Sequence, residues 1–269
     1  MARTALTARL VLVAALALVL SVLPAANAAI GTSKNLLQLN SKTFHKHVTR
    51  SDKLSVVAFT APWCGHCRSL APQYDKVADG LKGIVNVVNV DCDADENKPL
   101  CGREGVQGFP TIKLFPGGSA PSRSYDGPRT AKDIIAAATS AMPTFVKRAG
   151  TAAEVEALRE KASTKPISLL FTSAGKVTPL YKALSTDFYR ALDFYAARDE
   201  KVGHEAMRAF GVDTTPALLV LSGGDEVAKY EGPLKYDKLR AFLEPFAAQA
   251  KGKEEGGAKA KKRGEHEEL

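Results

Sequence analysis

The chain has 269 residues, 45% of them hydrophobic and 25% charged, which is the composition of a folded globular protein and not of a disordered or low-complexity chain. Its 37 basic and 29 acidic residues leave a net charge of +8, but outside the C-terminal tail the positive charges are interspersed with acids. Nucleic-acid binding normally shows a clustered basic face, so no nucleic-acid partner is expected, and the length allows one or two domains.

In chain order, Arg3 and Arg9 open a targeting segment. The apolar run from Leu10 to Leu23 covers only fourteen residues, short of the roughly 20 that cross a bilayer. Pro24 ends it, and Ala26, Asn27 and Ala28 offer a small-residue cleavage site. Residues 1–28 therefore read as a secretory signal peptide, cut after Ala28 or Ala29. No later stretch reaches a membrane-spanning length, so no membrane span is expected, and the compartment permits disulfides. Next come a strand in "NLLQLN", a helix capped by Ser41 and carrying Phe44 and Val48, and "LSVVAFT", a continuous apolar run typical of a strand buried on both faces. A helix from about Gly65 to Lys82 follows, with Pro72 expected to kink it. Then come the strand "IVNVVNVD", a short helix from about Glu96 to Arg103, "TIKLF", a Gly-Gly turn, "SRSYD", and a helix from Arg129 to about Met142.

The pattern then repeats. "GVQGFPTIKLFPGG" from Gly105 and "GVDTTPALLVLSGG" from Gly211 share their order of glycine, proline and apolar strand, and both lead to Tyr-x-Gly-Pro and a helix. Pro110 matches Pro216, Gly117 matches Gly223, and Gly127 matches Gly232. The second copy reads as "TFVKRA", a helix opened by the capping box Thr151 to Glu154, "PISLLF", a helix, a strand over "FYRALDFYA" from Phe188, a helix, "ALLVL", "EVAKY" and a final helix. The fold class is thus α/β: two tandem domains over 31–143 and 144–248, each a mixed sheet with helices on both faces. Residues 249–269, Gly- and charge-rich without an aromatic, read as a flexible tether.

The chain has four cysteines. Cys64 and Cys67 stand in "APWCGHC", directly after a strand, with Trp63 before them and Gly65 and His66 between them. Cys92 and Cys101 flank "DADENKPL". Two thiols at a three-residue spacing suit electron exchange, metal binding or a covalent staple. The second copy has no cysteine and cannot do thiol chemistry.

"APWCGHC", the downstream "GFPT" and the βαβαβαββα order together resemble the thioredoxin fold and the protein disulfide isomerase family, most of all the small fungal disulfide isomerases with a single active site. The resemblance covers about residues 31–248. It implies a thiol–disulfide oxidoreductase and isomerase that uses a Cys64–Cys67 couple. Cys64 is then the exposed nucleophile, stabilised as thiolate at a helix N-terminus and by a protonated His66. Cys67 is the resolving thiol, and Gly65 keeps the approach open. Trp63, Phe109, Pro110 and Thr111 form the substrate-binding rim, with Pro110 cis and the adjoining backbone ready to pair with an extended peptide. Arg129 is placed to lower the pKa of the resolving thiol. No cofactor or metal is implied.

The last four residues, His266 to Leu269, are one acidic swap from an endoplasmic-reticulum retrieval signal. The resemblance therefore implies a lumenal protein, with a retrieval receptor, cysteine-containing secretory clients, and glutathione or an upstream oxidase as partners. Nothing signals an assembly surface, so a monomer is expected.

Cys92 and Cys101 suit a short-loop structural disulfide contributing about 2–3 kcal/mol; a redox-active pair and a zinc site shared with Cys64 and Cys67 are the alternatives. The sequence departs from the family at two linked positions: Ala58 stands where a buried glutamate is usual, and Asn89 where a lysine is usual. The resemblance gives that pair a proton-shuttling role toward the resolving thiol. A binding module is the competing reading, with Phe188, Tyr189, Phe194 and Tyr195 lining a groove in the second copy or packing in its core.

Overall fold

A computed structural model describes residues 30–118, 120–223 and 226–264. The signal peptide read at 1–28 and the tetrapeptide His266 to Leu269 lie outside the described residues. The first unit comprises β1 (Leu37–Leu39), α1 (Ser41–Phe44, continued by a π turn over His45–Thr49), β2 (Ser55–Thr60), α2 (Gly65–Gly80), β3 (Asn86–Asp91), α3 (Lys98–Arg103, led by a 3-10 turn over Asp95–Asn97), β4 (Thr111–Phe115), β5 (Arg123–Ser124) and α4 (Ala131–Ala141). The second unit has β6 (Val146–Ala149), α5 (Ala152–Glu156), α6 (Leu158–Lys161), β7 (Ile167–Thr172), α7 (Pro179–Phe188), β8 (Asp193–Arg198), α8 (Asp199–Arg208), β9 (Ala217–Ser222), β10 (Glu226–Lys229) and α9 (Tyr236–Gly264).

Each unit is a five-stranded mixed sheet, ordered β1-β3-β2-β4-β5 and β6-β8-β7-β9-β10, so the sequence repeat is a repeat of topology. The central strand β2 is buried along its whole length. Val56 and Ala58 face a core shared with Leu70, Tyr74 and Val77 of α2 and Ile134 and Ala138 of α4. Val57 and Phe59 face the other side, against Phe44, Val48 and Leu100. β7 divides its side chains in the same way, with Phe171 on one core and Leu170 on the other. A strand buried on both faces has no solvent face to mark with polar residues, which is why both runs read as continuous apolar stretches.

Two side-chain devices recur at matched positions. The buried hydroxyl of Tyr74 lies 2.9 Å from the Val56 carbonyl and 3.0 Å from that of Val88, and Tyr181 lies 2.8 and 3.0 Å from those of Ser168 and Tyr195. Each tyrosine ties its helix to two neighbouring strands. The Tyr-x-Gly-Pro turns close when Tyr125 and Tyr230 donate to the carbonyls of Pro128 and Pro233. A Cβ on Gly127 or Gly232 would come within 2.7 or 2.5 Å of the tyrosine oxygen, so the glycine is required by the ring folded over it.

Four local readings are corrected. The cap of α1 is Asn40, not Ser41: its side chain accepts from the amides of Lys42 and Thr43, while Thr43 Oγ1 accepts from the Asn40 amide, a reciprocal box that Ser41 is one residue too late to make. At Thr151, Glu154 reaches back to the Gly150 amide at 2.6 Å instead of to the cap's own amide. The strand read from Phe188 starts only at Asp193, because Phe188 completes the apolar face of α7 against Leu184 and Leu192. The tether read from residue 249 is helical to Gly264; its Ala, Lys, Gln and Glu residues are strong helix formers and extend a helix already anchored by Leu239, Leu243 and Ala247. Pro72 lies inside α2, which spans Gly65–Gly80.

The units are joined by residues 142–145 and by a polar clasp. Lys53 Nζ lies 3.1 Å from Asp187 Oδ1 and donates to Tyr236 Oη at 2.6 Å and to the Gly83 carbonyl at 2.8 Å. Tyr236 in turn donates to Asp187. Ala183 of α7 enters the core of the first unit, with Tyr236 packed beside it. Burial holds the Lys53 amine below its ordinary pKa, against the opposing pull of Asp187. Removing one partner of a largely buried pair strands the other charge. Asp187→Ala should therefore lower stability by about 2–3 kcal/mol, and adding Lys53→Met should recover most of the loss; urea midpoints of the single and double variants check this.

Candidate functional site

β2 ends at Thr60, the chain turns through 61–63, and α2 begins at Gly65 with Cys64 as its N-cap. A helix start leaves amides without carbonyl partners. Here a sulfur takes one of them: Cys64 Sγ accepts from the Cys67 amide at 3.3 Å. Cys64 Sγ also lies 3.5 Å from the carbonyl of Phe109, whose peptide bond to Pro110 is cis.

The expectation of an openly exposed Cys64 is corrected: it is only 7% accessible, against 0% for Cys67. Ile30, Ala61 and Cys67 pack with it, and Phe109 lies against the cluster. Cys64 is nonetheless the outer of the two sulfurs. Both are free thiols.

Burial alone would raise both thiol pKa values. At Cys64 it is outweighed by a hydrogen bond with the Cys67 side chain, by the amides of Cys67 and His66 and by the charge of Arg68, and the thiol sits below its ordinary value. At Cys67 burial and the neighbouring sulfur act together, and the thiol is pushed up to about 12. The two thiols are thus shifted in opposite directions.

Of the remaining sequence-predicted residues, Phe109 and Arg129 act on this pair, whereas Thr111 borders a cleft whose lining includes neither cysteine. Trp63 is 64% exposed; its indole donates to Asp93 at 2.9 Å and stands edge-on to Phe109 at 5.8 Å. His66 is exposed and acts on the sulfur through its main-chain amide. A Cβ on Gly65 would meet nothing closer than Arg68 at 3.8 Å, so glycine leaves open space there without being sterically required. A cleft of about 520 Å³ is bordered by Pro110, Thr111 and Arg129. Arg129 donates to the Pro110 carbonyl at 3.2 Å, and its charge lowers the Cys67 pKa, the smallest of the influences on that thiol.

Cys92 and Cys101 form a disulfide, which removes them as ligands of a zinc site. Among the described residues no three His, Cys, Asp or Glu side chains converge as a metal site. Phe194 and Tyr195 pack in the two cores of the second unit, whereas Phe188 and Tyr189 border a cleft of about 390 Å³ together with Asp52, Arg190 and Arg240, and Tyr189 stacks on Phe145 at 4.3 Å.

Ala58 and Asn89 are direct register partners in the parallel β2–β3 pair and both are buried. In place of charge there is a neutral chain: Thr60 donates to Asn89 at 2.8 Å, Asn89 to Gln38 at 2.8 Å, and Gln38 to the Ile30 carbonyl at 3.1 Å. Gln38, Thr60, Arg68 and Asp93 carry no motif of their own. Strand register places Gln38 and Thr60, while Arg68 and Asp93 reach the site from α2 and from the loop after β3.

Residues 35–140 match the thioredoxin family model. A Dictyostelium discoideum chain with a provisional protein disulfide-isomerase name is 36% identical over 226 residues, covering 81% of this chain and 54% of that one. Protein disulfide-isomerase MPD1 of Saccharomyces cerevisiae is 32% identical over 184 residues, covering 62% of this chain and 58% of that one. The chain therefore spans little more than half the length of these relatives. The crystal structure of ERdj5 matches the fold over 81% of this chain and 30% of its own, with a TM-score of 0.50 at 18% identity. Residues 35–140 are a thioredoxin domain, and the chain is homologous to protein disulfide-isomerases.

The divided thiol pair makes a direct expectation. On the reduced protein, iodoacetamide at neutral pH should label Cys64 in strong preference to Cys67, because the Cys64 thiol lies below its ordinary pKa and the Cys67 thiol is pushed up to about 12. The Cys64 labelling rate should rise with pH and level off below the range of an ordinary cysteine. Peptide mass mapping of the modified sites across pH reads both.

Proposed function

We propose that this homologue of the protein disulfide-isomerases is itself a thiol–disulfide oxidoreductase and isomerase acting on folding secretory proteins. The observation that carries the reading is the unequal thiol pair at the start of α2, one sulfur lowered and the other raised in pKa. In the forward reaction the Cys64 thiolate attacks a client disulfide sulfur. A Cys64–client bond forms, the client disulfide breaks, and the leaving sulfur takes the electron pair and a proton. Cys67, once deprotonated, attacks Cys64 Sγ; the Cys64–Cys67 disulfide forms and the client departs as thiol. The sequence run in reverse oxidises a client, and interrupted after the first attack it rearranges one.

Client binding is assigned to Trp63, Phe109, Pro110 and Thr111, with the Phe109 carbonyl and its neighbouring backbone offered to an extended chain. Gly65 and His66 set the approach to Cys64, and Arg129 assists deprotonation of Cys67. The Cys92–Cys101 disulfide is structural. We take 31–143 as the catalytic domain and 144–248 as a cysteine-free domain of the same fold. Disulfide exchange needs an oxidising compartment, which supports the endoplasmic-reticulum lumen as its place of action, with glutathione disulfide or an upstream oxidase as electron acceptor.

The scrambled-substrate assay tests the reading. Cys64→Ser should reduce refolding of a scrambled disulfide protein to background. Cys67→Ser should instead accumulate a Cys64–client mixed disulfide, visible on non-reducing gels. Full activity in Cys64→Ser would falsify the assignment. A second expectation concerns the neutral site below the thiols. Installing both Ala58→Glu and Asn89→Lys supplies a paired buried proton carrier and should speed release of the mixed disulfide on the order of tenfold or more, whereas either change alone strands a charge and destabilises the domain. Stopped-flow release of a fluorescent client measures this; an unchanged double-variant rate counts against the idea.

A further inference from the structure

The second unit carries, at the place that holds the thiols in the first, a groove of its own. Residues 173–178 run from the end of β7 into α7, as 61–64 run from β2 into α2. On one side of this loop is an apolar pocket of about 310 Å³ bordered by Leu170, Leu180, Pro216, Leu218, Leu234 and Leu239. Leu234 is 46% exposed, among the few large apolar side chains so open in the described residues. The volume suits one or two large side chains.

On the other side is a cleft of about 710 Å³ between α4 of the first unit and the second unit. Its charged lining is entirely basic, Arg148, Lys176 and Lys182, joined by the hydroxyls of Thr139, Ser140 and Thr178, and no carboxylate borders it among the described residues. A third, small pocket of about 20 Å³ lies beside both. It shares Leu170, Thr172 and Ala174 with the apolar one and Arg148 and Lys176 with the basic one.

Arg198 lines this small pocket. Glu200 holds its Nη2 at 2.7 Å, but its Nε is buried without a hydrogen-bond partner among the described residues. A buried donor left open is costly. Lys176 pairs with no carboxylate among the described residues. Arg148 and Lys182 make only long bonds, to the Gly175 carbonyl at 3.4 Å and the Thr139 carbonyl at 3.5 Å. The N-terminus of α7 adds positive potential at the same loop.

We propose that this groove binds an extended client segment in which a large apolar side chain lies next to acidic residues. The apolar side chain fills the leucine-lined pocket and the carboxylates meet Arg148, Lys176 and Lys182. Charge complementarity selects the acidic neighbour, since a basic segment would bring like charges together. The proposal rests on the isomerase reading for the nature of the client, but it uses no cysteine.

Fluorescence anisotropy with the full-length chain carrying Cys64→Ser and Cys67→Ser tests it, using labelled cysteine-free peptides. One has a Leu-Phe core flanked by glutamates, one the same core flanked by lysines, and one an alanine core flanked by glutamates. The first should bind about tenfold more tightly than either other, and weaken as salt rises. Leu234→Glu, and Lys176→Glu with Arg148→Glu, should each cost about tenfold. All three positions are exposed or rim residues, and circular dichroism of the variants verifies the fold. Equal binding of the glutamate- and lysine-flanked peptides, or unchanged affinity in both variants, overturns the proposal. In a parallel arm with native cysteines, exchange with a small glutathione disulfide should be unaffected by the groove variants. Loss of that exchange in the unmodified chain overturns the isomerase reading alone, while the peptide result decides the groove.

Discussion

The sulfur of Cys64 occupies a position that a helix ordinarily reserves for a serine, threonine or aspartate oxygen. By accepting the Cys67 amide it closes the first turn of α2 and at the same time receives the positive end of that helix. This dual use makes the two cysteines unequal. The thiolate is stabilised because it caps, and the second thiol, one turn inward and beside that charge, is held protonated. Around this contact, β2 supplies a rigid approach, Tyr74 locks α2 to two strands, and Phe109 brings a carbonyl to the reactive sulfur.

The departures at Ala58 and Asn89 fit the same logic. A charge at either position alone would be buried without a partner. Both are neutral, and the polar groups that remain satisfy one another from Thr60 through Asn89 and Gln38 to Ile30. That neutral chain ends on Ile30, which itself packs against Cys64. Arg129, tied to the Pro110 carbonyl, is the basic group whose charge still reaches Cys67.

Much of the architecture was legible because it follows from one-dimensional signals. The uninterrupted apolar runs of β2 and β7 mark strands covered on both faces, and the recurring Gly-Pro spacings expose the duplication that the two sheets share. The dithiol stood out because cysteine spacing is sparse and chemically meaningful. What escaped was decided by neighbours distant in the chain. Asn40 displaced Ser41 as a cap through reciprocal bonding with Thr43. Phe188 entered a helix because α7 needed it to complete a buried face. The Asp93 partner of Trp63 and the cover that Ile30 gives Cys64 arise from segments about thirty residues away, and no local pattern announces them. The basic cleft is harder still to foresee, since its cations come from β6, from the loop ahead of α7 and from α7 itself.

The Lys53–Asp187–Tyr236 clasp has a mechanical meaning. A four-residue join would let two bodies swing as beads on a string; three polar side chains knotted across the seam make them one lever. On the proposed reading, a polypeptide held at once by the sulfur of Cys64 and by the far unit would need enough slack to bridge the span that this clasp holds.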